Sequence, residues 1–261
     1  LSDGASFTLG AFNLTLSGTN TTSSISQAMT GAGGSITKAG TGTWTVNGAN
    51  TYTGGTAVSE GTLNVGNIVV ASGSSNLGNA TSKVVLGGAS SKGILSYTGS
   101  SATYTRGFTV NAGGGEFDVT TSGQTVTIDT TGIDASGTFT IGGDGNTTIS
   151  SAISGTGALA KSGSGTLTLA GSNTYSGGTS VTGGVLAFSS NANLGGAGSI
   201  VLAGGTLKPT AGLTVARATS LGLGGGTIDV GSGLELIWNG AITGAAGNNL
   251  TKIGAGILTL G

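Results

Sequence analysis

Residues 36–65, ITKAGTGTWTVNGANTYTGGTAVSEGTLNV, return at residues 159–188 as LAKSGSGTLTLAGSNTYSGGTSVTGGVLAF, and a third copy starts at Leu250 as LTKIGAGILTLG. A repeat of this length constrains the fold more than any single residue does. Each copy must build the same local structure and bury its apolar side against a neighbour. Lys38, Lys161 and Lys252 are equivalent, as are Gly40, Gly163 and Gly254, and Gly42, Gly165 and Gly256. The block Asn50, Thr51, Tyr52, Thr53, Gly54, Gly55, Thr56 matches Asn173, Thr174, Tyr175, Ser176, Gly177, Gly178, Thr179 with only Thr53/Ser176 changed.

Inside each copy, Thr43-Trp44-Thr45-Val46 and Thr166-Leu167-Thr168-Leu169 alternate threonine with an apolar residue. Successive side chains of a strand point to opposite sides, so this is a strand with one buried face. Shorter strands are predicted around 56–58 and 62–65. Three short strands in roughly 22 residues make one coil, and a lone coil cannot bury its apolar side. Stacked coils pair as parallel strands about 4.8 Å apart, and right-handed winding is the default for such connections. The predicted fold is all-β, a right-handed parallel β-helix of roughly eleven or twelve coils and roughly 55 Å in length.

The Gly-x-Gly-Thr-x-Thr run, the Asn-Thr-Tyr-x-Gly-Gly-Thr block and the closing Gly-Thr-Leu or Gly-Val-Leu resemble the autotransporter-associated β-strand repeat of Gram-negative passenger regions. The resemblance implies a secreted cell-surface scaffold, a stalk or adhesin-like segment, with repeats that aid outer-membrane secretion. It also implies a C-terminal outer-membrane β-barrel in the parent protein. Self-association and contact with host or neighbouring cells are the partners that follow from it.

Similarity runs beyond the core motif. Asn76-Leu77-Gly78 returns as Asn193-Leu194-Gly195, Arg106 as Arg217, and Glu116-Phe117-Asp118 as Thr227-Ile228-Asp229. The chain divides into the end of a preceding unit (1–30), a long module (31–154), a shorter one (155–243) and a truncated third (244–261), all in one solenoid. The spacing of equivalent positions falls from 123 residues (Lys38 to Lys161) to 111 (Asp118 to Asp229) and 91 (Lys161 to Lys252). The last drop is about one coil, so 120–142 is predicted to contain a coil that the second module lacks. The start at Leu1, without a leader, and the stop inside a repeat suggest an excised fragment.

Of 261 residues 56 are glycine, a level that invites a disordered reading, yet 36% are hydrophobic and fall in alternating runs. Glycines are expected at coil corners, where positive φ is needed. A net charge of −1 gives neither a nucleic-acid footprint nor a basic membrane patch. No apolar run approaches the length of a membrane span.

With no histidine and no cysteine, a Ser-His-Asp triad, His-ligated zinc and thiolate sites are excluded from these residues. Carboxylates are the remaining catalytic candidates: Glu116, Asp118, Asp129, Asp134 and Asp144. Were they clustered in a groove, a polysaccharide-processing β-helix enzyme would be the alternative reading. Gly142-Gly143-Asp144-Gly145-Asn146 looks like half of a calcium-binding nonapeptide, which needs stacked copies to complete its oxygen shell. The Thr-x-Thr runs (43/45, 125/127, 138/140, 166/168) could form an ice-binding face; β propensity on a solvated face is the preferred reading. The preferred assignment is non-enzymatic, with no cofactor and no metal. The repeat residues Lys38, Gly40, Gly42, Asn50, Tyr52, Gly54, Gly55, Lys161, Gly163, Gly165, Asn173, Tyr175, Gly177, Gly178, Lys252, Gly254 and Gly256 are read as scaffold. Among them the asparagines bond turn backbone, the tyrosines pack at corners, and the lysines are solvated corner charges. Trp44 is assigned to the core.

Overall fold

The computed structural model describes residues 6–69, 73–129, 131–196 and 198–261. All strand pairs within its sheets are parallel, and they stack into a β-solenoid of about 11 turns with three faces. The start of the predicted 1–30 unit lies outside the described residues.

Each face follows from the alternation in sequence. On the first face seven strands run in order from Asn13–Leu16 and Ser35–Lys38 to Ile153–Ser154, and three more, Leu213–Val215, Glu235–Trp238 and Ile257–Leu260, continue the line. The second face is unbroken, with eleven strands from Ser23–Ile25 to Ile242–Gly244. The third face carries eight strands from Ala102–Tyr104 to Leu250–Ile253, preceded by the pair Phe7–Thr8 and Met29–Thr30. Neighbours are in register: Thr147, Thr148 and Ile149 sit beside Leu167, Thr168 and Leu169. Register of this kind stacks like on like, and Val46, Val65, Tyr97 and Val119 form one buried column of the second face. A continuous core of aliphatic and aromatic side chains runs the length of the described rod, with Phe108 lying against Tyr104, Phe117 and Phe139 at ring-centroid distances of 5.1–5.6 Å.

Equivalent elements of the three sequence copies fall on three different faces. The strand bearing Lys38 is on the first face, the one bearing Lys161 on the second and the one bearing Lys252 on the third. Between the first two copies the chain makes five whole turns plus one face, and between the second and third it makes four turns plus one face. The missing turn corresponds to Thr125–Ile128, Ile133–Ala135 and Phe139–Gly142, inside the predicted 120–142 segment.

The two places where a face loses its strands coincide with the Asn-Thr-Tyr block. After Met29–Thr30 the third face continues through Thr51, whose N–H donates to Met29 O at 2.9 Å. After Ile153–Ser154 the first face continues through Thr174, whose N–H donates to Ile153 O at 2.8 Å, and then through the 3₁₀ turn Asn191–Leu194. At these rungs side-chain hydrogen bonds replace part of the ladder.

Candidate functional site

The corner network is built from residues that recur with the repeat. Asn50 is fully buried; its Oδ1 accepts from Met29 N–H at 2.8 Å and its Nδ2 donates to Asn76 O at 2.8 Å. Asn76 in turn accepts from the N–H groups of Gly66 and Asn67 and donates to Gly48 O at 3.0 Å. In the second module Asn173 accepts from Ile153 N–H at 2.8 Å and donates to Asn193 O, while Asn193 accepts from Ser189 and Ser190 N–H and donates to Gly171 O. Asn50 and Asn173 thus serve backbone groups of the neighbouring coils where no strand is present to pair them, while Asn76 and Asn193 join the chain just before them to the coil below.

Tyr52 and Tyr175 are buried beside these asparagines, with hydroxyls bonded to Thr56 Oγ1 at 2.8 Å and Thr179 Oγ1 at 2.7 Å. Burial pushes both phenols up to about 12. Gly78 and Gly195 lie flat on the two rings; a Cβ added at either would meet ring carbons at 2.7 Å or less, at a backbone with positive φ. Arg106 and Arg217 close the corners. Arg106 donates to Ser82 O and Leu77 O, and Arg217 donates to Asn191 Oδ1 and to carbonyls of Asn191, Gly195, Gly196 and Gly198. Burial lowers the Arg217 pKa, partly offset by Tyr175. These arginines and the Asn76/Asn193 pair were visible as repeated positions but had no role in the sequence reading.

The lysines correct an expectation. Lys38 and Lys161 are buried rather than solvated, at 0% and 1% exposure. Each turns its ammonium into a Gly-x-Gly corner. Lys38 Nζ donates to the carbonyls of Ala39 (3.0 Å), Gly40 (2.6 Å) and Glu60 (2.9 Å), and Lys161 Nζ to those of Ser162 and Gly163. Three donors on a point charge suit three carbonyls of a tight turn. Gly61 and Gly184, in the following coil, lie against these ammonium groups; a Cβ at either would come within 2.8 Å of Nζ. Desolvation lowers both lysine pKa values, opposed by Glu60 for Lys38 and by Asp118 for Lys161, which falls to about 8. Lys252 makes the same two contacts, to Ile253 O and Gly254 O, at an exposed corner. Gly40, Gly163 and Gly254 all have φ between 67° and 76°, as corner glycines require.

Trp44 also departs from its assignment. It points inward but is only half-buried, because its rung neighbour is Ser23, and its Nε1 donates to Ser17 O at 3.0 Å. With Phe7, Leu14, Leu16 and Ile25 it lines a cavity of about 700 Å³ in the first coils. Trp238 is fully buried, donating to Arg217 O.

The candidate acids are spread over the rod. Glu116 and Asp118 share the outer side of Gly115–Val119 on the second face. Asp134 is on the first face, paired with Lys83 at 2.6 Å. Asp129 follows the third-face strand Thr125–Ile128, and Asp144 Oδ1 accepts from Ser164 Oγ at 2.7 Å in a corner. Only Glu116 and Asp118 are brought together, their Oε1 and Oδ1 both turned over Gly142, while Asp129, Asp134 and Asp144 lie on other faces or at a corner. In the proposed calcium half-motif, Asn146 Oδ1 is taken by Thr166 N–H. Among the described residues no three Asp or Glu side chains group as metal ligands. The threonines prove more ordered than their scatter in sequence: Thr127, Thr148 and Thr168 form a column on the third face that Ala187 ends.

Comparison with known proteins places this architecture. The passenger-associated-transport-repeat family matches residues 36–65 and 159–188. These are the two segments that carry the buried lysine and the asparagine–tyrosine corner. Two segments of the chain are thus similar to the passenger-associated-transport-repeat. Over 118 residues it is 37% identical to the adhesin BmaC autotransporter of Brucella suis biovar 1 (strain 1330), covering 43% of this chain and 3% of that protein. No solved structure matches the chain. Both findings support an autotransporter passenger with repeats, and the chain spans a small fraction of the relative it matches. Among the described residues no helix is long and apolar enough to cross a membrane.

Proposed function

We propose that this chain is a structural and interaction segment of an autotransporter passenger, a surface stalk or adhesin scaffold outside a Gram-negative cell. The observation that carries the reading is the unbroken eleven-stranded second face, along which every internal strand is paired on both sides. Such a rod adds one coil at a time, and each new rung is stabilised by the one before it. During export, folding outside the cell would therefore favour forward movement of the chain, which is how the repeats would aid secretion through a C-terminal barrel of the parent protein. The repeat residues serve this role as scaffold, through the corners described above. Lateral self-association and contact with other cells are the interaction functions in keeping with the adhesin name of the relative.

The test is surface delivery. A passenger containing this segment, displayed on cells through an outer-membrane barrel, is compared with its Asn173→Ala variant by protease accessibility. Delivery falling with the stability of the purified segment supports the reading; equal delivery at reduced stability contradicts it.

A further inference from the structure

Glu116 and Asp118 stand at the centre of the second face, flanked by Ile94 and Ser96 on one rung and by Thr140 and Gly142 on the next. Glu116 Oε1 and Asp118 Oδ1 converge over Gly142. A methyl group built there would lie 2.8 and 2.2 Å from them and 3.2 Å from Ser162 Oγ, so only glycine leaves room for both carboxyls. The other Glu116 oxygen, Oε2, is ion-paired with Lys92. Asp118 Oδ1 is sealed from solvent and, as a carboxylate oxygen, has no donor. An orphaned acceptor facing a second acceptor lacks a proton: two ionised carboxylates crowded over one glycine repel, whereas one proton makes them donor and acceptor.

We propose that Glu116 and Asp118 share a single proton and form an acid-tightened clasp over the central rungs of the rod. The charged groups facing the pair are Lys92 from the neighbouring rung and Lys161 from the interior two rungs along; the other side chains against it, Ile94, Ser96, Thr140 and Ser162, are uncharged. Burial, then the Glu116 charge and its hydrogen bond, push Asp118 up to about 7 against the pull of the two lysines. The folded chain therefore holds a proton that the unfolded chain releases. The clasp contributes fully below the ordinary aspartate range, and its contribution is lost as pH rises through about 7. The clasp belongs to the first module alone. In the second, Thr227 replaces Glu116, and Asp229 pairs with Lys208 at 2.9 Å.

Carboxyl ¹³C titration by NMR, with urea midpoints at about pH 5 and about pH 8, tests the clasp in this chain, Asp118→Asn and Glu116→Thr. Asp118 titrating near 7, a midpoint falling between the two pH values, and a much smaller fall in Asp118→Asn support it. Glu116→Thr, which installs the residue of the second module, returns Asp118 toward the ordinary carboxylate range and keeps the test alive should Asp118→Asn fold poorly. Asp118 titrating as an ordinary aspartate, or Asp118→Asn losing stability as steeply as the parent, overturns the proposal. So does a midpoint at neutral pH raised by millimolar calcium, which would put a cation where the proton is placed.

Discussion

Lys161 shares its inward parity with Leu159, two residues earlier on the same strand, and that parity was the available signal of its burial. Residue type argued for solvent and position argued for the interior; position prevailed because the corner carbonyls satisfy the ammonium. The arrangement has a pH signature. Its folded-state pKa of about 8 lies below the ordinary lysine value of 10.5, so between those values the unfolded chain binds more protons and stability rises with pH. The gain is at most about 3 kcal/mol. Urea midpoints measured across that range should rise more steeply for the parent chain than for Lys161→Met, which keeps only the contribution of Lys38. The asparagines give a second test at this scale. Asn173→Ala orphans Ile153 N–H and Asn193 O, at a cost of about 1–3 kcal/mol for each buried unsatisfied group. Chemical denaturation measures it, and an Asn173→Ala loss no larger than that of an exposed Asn→Ala, such as Asn47→Ala, would refute the corner network.

At the scale of the element, the unit of change is a whole coil. Asp118 lies beside Gly142, so removing residues 119–142 takes out one rung and leaves the register intact. The second module lacks this coil naturally. The shortened chain is predicted to fold and unfold cooperatively, whereas removing 131–142 takes out two of that coil's three strands, leaves every later strand stacked on the wrong neighbour, and is predicted to abolish the cooperative transition. Circular dichroism and urea unfolding distinguish the two. Strands and their buried sides were legible because Thr-x-Thr alternation and Gly-x-Gly corners are local signals. The rotation of each module by one face was not. Sequence equivalence fixes what Thr43–Val46 and Thr166–Leu169 look like, but their face depends on the number of strands lying between them. For the same reason Thr127, Thr148 and Thr168 looked scattered in sequence and prove to be one column.

For the whole molecule, two modules differ in length by a turn yet keep the same remainder of one face, so the repeat corners circle the rod instead of lining one side. A surface contact made by those corners would turn with them, and contacts along one side would be made by the outer strand residues. The chain has no cysteine, which makes pairwise cross-linking clean. Thr148→Cys with Thr168→Cys sits on adjacent parallel strands, within the Cα separation that a disulfide spans. Thr45→Cys with Thr168→Cys joins positions equivalent in sequence but on different faces. Under mild oxidation, monomeric chain of the first pair should form an intramolecular disulfide and the second pair should not; the reverse result, or no disulfide in the first pair, would contradict the continuous parallel solenoid.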